Sequence, residues 1–244
     1  MARQTAISIN TIPIGPLGII GMPGCEELTD KIDKYLVKWR KTQASEHAES
    51  IAFFGYQRDT YKIDVSIPRF GSGEGKGVIN ESVRGYDIYI VCDVFNYSCS
   101  YDMYGRKVYM SPDDHFADLK RVISALCSKP KRVSVIMPML YEGRQHKRSS
   151  RESLDCAMAL KELVHLGVEN IITFDAHDQR VQNAIPDKSF ENVMPTYQMI
   201  KALVNNVEDL NVDKDHLMII SPDEGALHRC IYFATQLGVN LGMF

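Results

Sequence analysis

Asn170-Ile-Ile-Thr-Phe174 is a short apolar run that empties into Asp175-Ala-His-Asp178. Five residues, apolar at the centre and ended by charge, predict a buried strand whose last residue opens onto chemically capable side chains. Upstream, 153–166 carries Leu154, Ala157, Met158, Leu160 and Leu163 at helical spacing, and Gly167 is a natural stop. Before it, Arg132-Val-Ser-Val-Ile-Met-Pro138 is a second short strand, ended by proline. Earlier still, Ser111-Pro112 signals the start of a helix over 113–127, and Tyr86-Asp-Ile-Tyr-Ile-Val-Cys92 predicts a strand. A first helix is expected over 26–39, with Leu28, Ile32, Tyr35, Leu36 and Trp39 on one face. Downstream the grammar repeats: helix over 195–204, strand over 217–220, helix over 227–237 stopped by Gly238, and a strand entered near Val239. Strands alternating with helices predict an α/β fold with a mostly parallel sheet covered on both faces. Ligands of such sheets sit beyond the carboxyl ends of the strands. That rule selects the segments after Pro138, Phe174 and Ile220.

The rest of the chain narrows the classes of function. Its 244 residues suit one large domain or two modest ones, and 45% hydrophobic content is enough for a core. A net charge of −3 gives no reason to expect nucleic acid or an anionic membrane as partner. No uninterrupted apolar stretch is long enough to span a bilayer, and the N-terminus lacks the pattern of a signal peptide. The six cysteines are scattered without a CxxC pair, which fits free thiols in a reducing cytoplasm.

Four stretches carry candidate chemistry. Tyr141-Glu-Gly-Arg-Gln-His-Lys-Arg-Ser-Ser-Arg151 places Arg144, Lys147, Arg148 and Arg151 in one strand-end loop. Such a loop suits polyphosphate, since Arg offers bidentate donors and Lys a point charge; it equally suits a solvated loop or a partner's acidic patch. Asp175-Ala-His-Asp178 offers donors for a hard divalent cation, with Asp175 and His177 on one side if the backbone stays extended, or a helix N-cap at Asp175 or Asp178. Ser221-Pro-Asp-Glu-Gly-Ala-Leu-His-Arg229 is either an anion or metal site at a helix start near Gly225, or a plain capping turn. Arg69-Phe-Gly-Ser-Gly-Glu-Gly-Lys-Gly77 reads as a flexible loop that lets backbone approach a ligand; its Phe70 either stacks on a base or plugs into the core. It has neither Walker nor dinucleotide-fingerprint spacing.

Taken in order, these stretches resemble the ribose-phosphate pyrophosphokinase (phosphoribosyl pyrophosphate synthetase) family. Phe70-Gly-Ser-Gly-Glu74 followed by Glu81-Ser-Val-Arg-Gly85 is similar to its Phe-Ser-Asn-Gln-Glu and Glu-Ser-Val-Arg-Gly. Arg144-Gln145 resembles the start of its Arg-Gln-Asp-Arg/Lys-Lys loop. Phe174-Asp-Ala-His-Asp-Gln-Arg-Val-Gln182 resembles its Met-Asp-Leu-His-Ala-x-Gln-Ile-Gln, and Ser221 to Arg229 its Ser-Pro-Asp-Ala-Gly-Gly-x-x-Arg. The resemblance implies two Rossmann-like, phosphoribosyltransferase-type domains with mostly parallel sheets, here 1–193 and 194–244, the second expected to be incomplete. It implies transfer of the diphosphoryl group of ATP to the 1-hydroxyl of ribose 5-phosphate, with Mg2+ as cofactor, in dimers assembled into hexamers. Phe70, Ser72 and Glu74 would hold adenine, in family members from a neighbouring subunit. Arg144 and Gln145 would contact ATP. His177 would act in catalysis and, with Asp175 and Asp223, on the metal side. Lys147, Ser150 and Arg151 would be candidates for a regulatory phosphate.

There are departures. Ser72 stands where Asn is usual, among extra glycines that predict a looser loop, and His146 stands where Asp is usual. The family's catalytic Lys and Arg and its Asp-Asp…Thr-Gly-Thr ribose-phosphate loop have no counterpart in these residues. Little or no synthesis by the chain alone is therefore expected. A non-catalytic, synthetase-associated regulatory homologue is the alternative.

Overall fold

The computed structural model describes residues 13–46 and 57–244; the expectation about the N-terminal segment falls largely outside them. The described residues fall into two compact units that part after Val193.

The first unit is built on β1 (Leu17–Gly21), β4 (Asp87–Val91), β7 (Arg132–Met137), β8 (Asn170–Phe174) and β9 (Ser189–Val193). They form one sheet in that order, every pair parallel, with Ile19 opposite Tyr89, Val91 opposite Ile136 and Ile136 opposite Ile172. Alternation sends successive side chains to opposite faces. Ile19 and Val91 therefore meet Ile32, Leu36 and Val37 of α1 (Glu26–Glu46). Ile20, Ile90, Val135 and Met137 meet Phe116, Leu119 and Val122 of α2 (Pro112–Ala125) and Leu160 and Leu163 of α3 (Asp155–His165). Each such side chain, fully buried, contributes about 1.5–3 kcal/mol before entropy is charged against it. The near-continuous apolar runs in β1, β4 and β7 reflect burial on both faces.

Helix α2 starts where Ser-Pro predicts, one residue early. Ser111 and Asp114 form a reciprocal capping box, with Pro112 in the first turn. Strand β8 has the bounds expected of it. Helix α1 runs beyond Trp39 to Glu46. Elements not anticipated are β1, β9, the short antiparallel pair β2 (Val65–Ser66) and β3 (Val78–Ile79), and the hairpin of β5 (Ser100–Met103) and β6 (Arg106–Tyr109).

The second unit holds α4 (Thr196–Asn206), β10 (Met218–Ser221), α5 (Leu227–Leu237) and β11 (Asn240–Met243). β10 and β11 pair in parallel, and α5 connects them. Helix α5 has the bounds expected of it, and Gly238 follows it in the left-handed conformation. No described helix is long and apolar enough to cross a membrane, and all six cysteines are free thiols.

Candidate functional site

All five strands of the parallel sheet end on one edge, so the loops after β7 and β8 leave side by side. They touch through His146. Its ring lies 5.1 Å from that of His177, and its Nε2 is 3.4 Å from Asp178 Oδ2. His146 Nδ1 is 3.0 Å from the Arg144 carbonyl, which makes Nδ1 the donor there. Gln145 Nε2 donates to the Ser153 carbonyl at 2.8 Å, and Tyr141 anchors the loop's start. The Tyr141 ring stacks on Phe116 of α2 at 4.2 Å, and its hydroxyl donates to Asp113 at 2.6 Å. Burial and that carboxylate push the phenol well above its ordinary range. Arg144, Lys147, Arg148 and Arg151 stay exposed to solvent. Ser150 donates to Glu152, and hydrogen bonds from Ser149 and Ser150 hold that carboxyl below its usual value.

After β8 the backbone does not stay extended. Asp175 has φ +44, in the left-handed region, so its carboxylate and His177 do not share a side by strand alternation. The Asp175 and Ala176 amides donate to the Val193 carbonyl and to Asn192 Oδ1. This crossing to β9 is what turns the chain. Asp178 caps: its side chain accepts from the Arg180 amide, and a 3-10 helix, Gln179–Ala184, follows in place of an α-helix. The Arg180 guanidinium lies 2.5 Å from Asp178 and, as the largest influence, drives its carboxyl far below the carboxylate range. His177 is exposed at this edge.

The glycine-rich segment 69–77 is an ordered turn, contrary to the looser loop that its composition predicts. The Phe70 amide donates to the Glu74 carbonyl at 2.8 Å, the Gly73 amide to the Phe70 carbonyl at 2.8 Å and the Lys76 amide to the Pro68 carbonyl at 3.0 Å. Ser72 Oγ donates to Glu74 Oε2 at 2.7 Å. Two glycines serve contact with protein: a Cβ on Gly75 would fall 2.9 Å from Asp118 Oδ1, and one on Gly77 would fall 2.7 Å from the Arg121 backbone. Phe70 is not a core plug; it is 58% exposed.

In the second unit, Asp223 lies in the turn before α5, whose N-cap residue Ala226 makes no side-chain capping bond. Asp223 Oδ1 accepts from the Ala226 amide at 2.8 Å, and Ser221 Oγ donates to the Asp223 carbonyl. Among the described residues no three His, Cys, Asp or Glu side chains gather as a metal cluster. Composition did not reveal the part His146 plays as the link between two loops, nor the Arg69–Asp118 ion pair beneath the Phe70 turn; both depend on partners more than 30 residues away.

Comparison with known proteins follows the same outline. A family described as the N-terminal domain of ribose phosphate pyrophosphokinase matches residues 17–167. A ribose-phosphate pyrophosphokinase of Aquifex aeolicus is 25% identical over 185 residues, covering 74% of this chain and 52% of its own length. One of Helicobacter pylori is 29% identical over 182 residues, covering 72% and 49% respectively. The chain thus spans about half the length of the curated relatives it matches. The crystal structure of phosphoribosylpyrophosphate synthetase from Mycobacterium smegmatis superposes with TM-score 0.69 at 20% identity, over 93% of this chain and 63% of that one. That likeness is one of fold.

Proposed function

We propose, from the premise that this chain belongs to the ribose phosphate pyrophosphokinase family and carries its N-terminal domain, that the protein transfers the diphosphoryl group of ATP to the 1-hydroxyl of ribose 5-phosphate. The observation that carries the reading is the meeting of the basic loop after β7 with the His177 loop after β8, through His146. In diphosphoryl transfer the protein positions the reactants and neutralises charge more than it reacts covalently. Arg144, with Gln145 fixed on Ser153, would engage the ATP phosphates, and exposed His177 would stand where charge develops on them. The exposed ring of Phe70 would stack on adenine, beside Ser72 and Glu74. Lys147, Ser150 and Arg151, all exposed, would serve a phosphate effector. Mg2+ keeps several waters and binds through one or two side chains plus substrate phosphates, so Asp175 and His177 of the first unit would hold it; Asp223, in the second unit, would by itself serve the sugar or metal side. When bound, the ion would supply positive charge that offsets the negative charge of the phosphates. Self-association, with adenine held between subunits, and a cytoplasmic location belong to the same reading.

The test separates binding from turnover. ATP binding is measured by calorimetry, and AMP and phosphoribosyl pyrophosphate release are followed with ATP, Mg2+ and ribose 5-phosphate. Arg144→Ala and His177→Ala are expected to weaken ATP binding about tenfold or more, the scale of a lost charge-assisted contact. Unchanged affinity in both variants, or no ATP binding by the parent chain, would overturn the reading.

A further inference from the structure

Beneath the Phe70 turn lies a cluster that neither the family match nor the proposed chemistry assigns. Arg69 Nη2 is 2.5 Å from Asp118 Oδ2 on α2, and Arg121 Nη1 is 2.6 Å from Asp118 Oδ1. The Asp118 side chain is 2% exposed and that of Arg69 11%, so this pair is shut away from water. The same guanidinium donates through Nη1 to the Gly73 carbonyl at 3.2 Å, and its carbon sits 4.3 Å from the centre of the Tyr101 ring on the β5–β6 hairpin. A further bond, from the Tyr104 amide to the Gly71 carbonyl at 2.9 Å, ties the tip of the hairpin to the turn. One planar cation therefore fastens three elements: α2, the tip of the turn and the hairpin. Phe70 is the aromatic side chain that the turn exposes, with Glu74 and Lys76 exposed beside it. Arg fits this position because its fork can hold a carboxylate and a carbonyl while its flat face lies on an aromatic ring; Lys is a single point charge. A platform already held in shape loses less freedom when a ligand arrives.

We propose that Arg69, held by Asp118, is a positioning residue that presents the Phe70 turn to the nucleobase. The proposal rests on the reading of Phe70 as the adenine platform. The effect of Arg69 is expected on binding of the base and not of the phosphates, and that separates it from a merely structural role. Burial pushes the Asp118 carboxyl upward despite its two guanidinium partners, consistent with a carboxylate that is costly to leave alone.

The experiment compares binding of ATP and of inorganic tripolyphosphate by the whole chain, with hydrogen exchange at the Phe70, Gly73 and Lys76 amides. Arg69→Met is expected to accelerate exchange at these amides and weaken ATP at least about tenfold, leaving tripolyphosphate within about twofold. Arg69→Lys should restore part of the ATP affinity. Where Arg69→Met does not fold, the double variant Arg69→Met/Asp118→Leu, which removes both charges, carries the same comparison. Unaltered exchange, or equal loss of ATP and tripolyphosphate, overturns the positioning role. Phe70→Ala decides the underlying reading separately: if it leaves ATP binding intact, the platform itself is wrong. If it weakens ATP while Arg69→Met does not, only the positioning role falls.

Discussion

His146 and Asp178 face each other across the two strand-end loops at 3.4 Å, and this contact is the bridge between the basic segment and the His177 segment. Both side chains are largely buried, although each stands in an otherwise polar loop. His146→Ala is expected to weaken ATP and tripolyphosphate together, by about threefold to tenfold, as befits one hydrogen-bonded contact on the phosphate side. Calorimetry with both ligands checks this. Loss confined to ATP would place His146 with the base.

Acid acts on the same carboxylate. Its folded pKa is depressed by Arg180, so the pairing stabilises the fold above the ordinary Asp value of about 4 and is lost as pH falls toward the depressed one. Arg180 is 78% exposed, so salt should weaken the effect. Urea unfolding of the parent and of Asp178→Asn should show a stability gap at pH 6 that closes on going well below pH 4 and narrows in about 1 M salt. A gap independent of pH would rule out this assignment.

Arg132 grips Asp87 with two nitrogens, Nε at 2.7 Å and Nη2 at 2.5 Å, across the β4–β7 pair, and Nη2 also reaches the Tyr89 hydroxyl at 3.1 Å. Arg132→Ala leaves the buried Asp87 without that partner and should cost about 2–3 kcal/mol, below the figure for a fully buried pair because the Arg is 28% exposed. Arg132→Met with Asp87→Leu should recover most of it. A double variant as weak as the single would show that the loss arises from packing.

The thiols should separate by burial. Burial pushes Cys25 and Cys156 up to about 11, and Cys92 well above its ordinary value. A thiol near 11 is only about one-thousandth ionised at pH 8, and the thiolate is the reactive form. Iodoacetamide on the native chain should label exposed Cys127 first and reach Cys25, Cys92 and Cys156 only after denaturation. Early labelling of Cys156, read by peptide mass spectrometry, would contradict the packing around α3.

The legible strands, β4, β7, β8 and β10, are those that carry a short apolar run. Arg132–Met137 is apolar apart from Ser134 and nearly all buried, while Asn170–Phe174 has an Ile-Ile centre with Ile171 and Thr173 buried and Phe174 exposed. β9, Ser-Phe-Glu-Asn-Val, is an edge strand with alternating exposure, and its Glu and Asn mask it. β1 was hidden by glycines at its second and last positions, and the β5–β6 hairpin by polar strands around a Tyr104-Gly105 turn. At the candidate site, the geometry was not readable in the sequence. Extended alternation failed at Asp175 because bonds to Val193 and Asn192, on a strand not yet recognised, bend the chain there. The glycines of 69–77 suggested mobility because nothing local discloses that α2 lies against them.

That bend at Asp175 sets two demands against each other. A non-glycine residue at φ +44 carries strain on the order of 1 kcal/mol, which glycine would not. Asp175→Gly would therefore relax the backbone while deleting the carboxylate. Under the proposed metal role, a screen for turnover would reject such a replacement. On that role of Asp175, position 175 would be a place where backbone ease and side-chain chemistry pull apart.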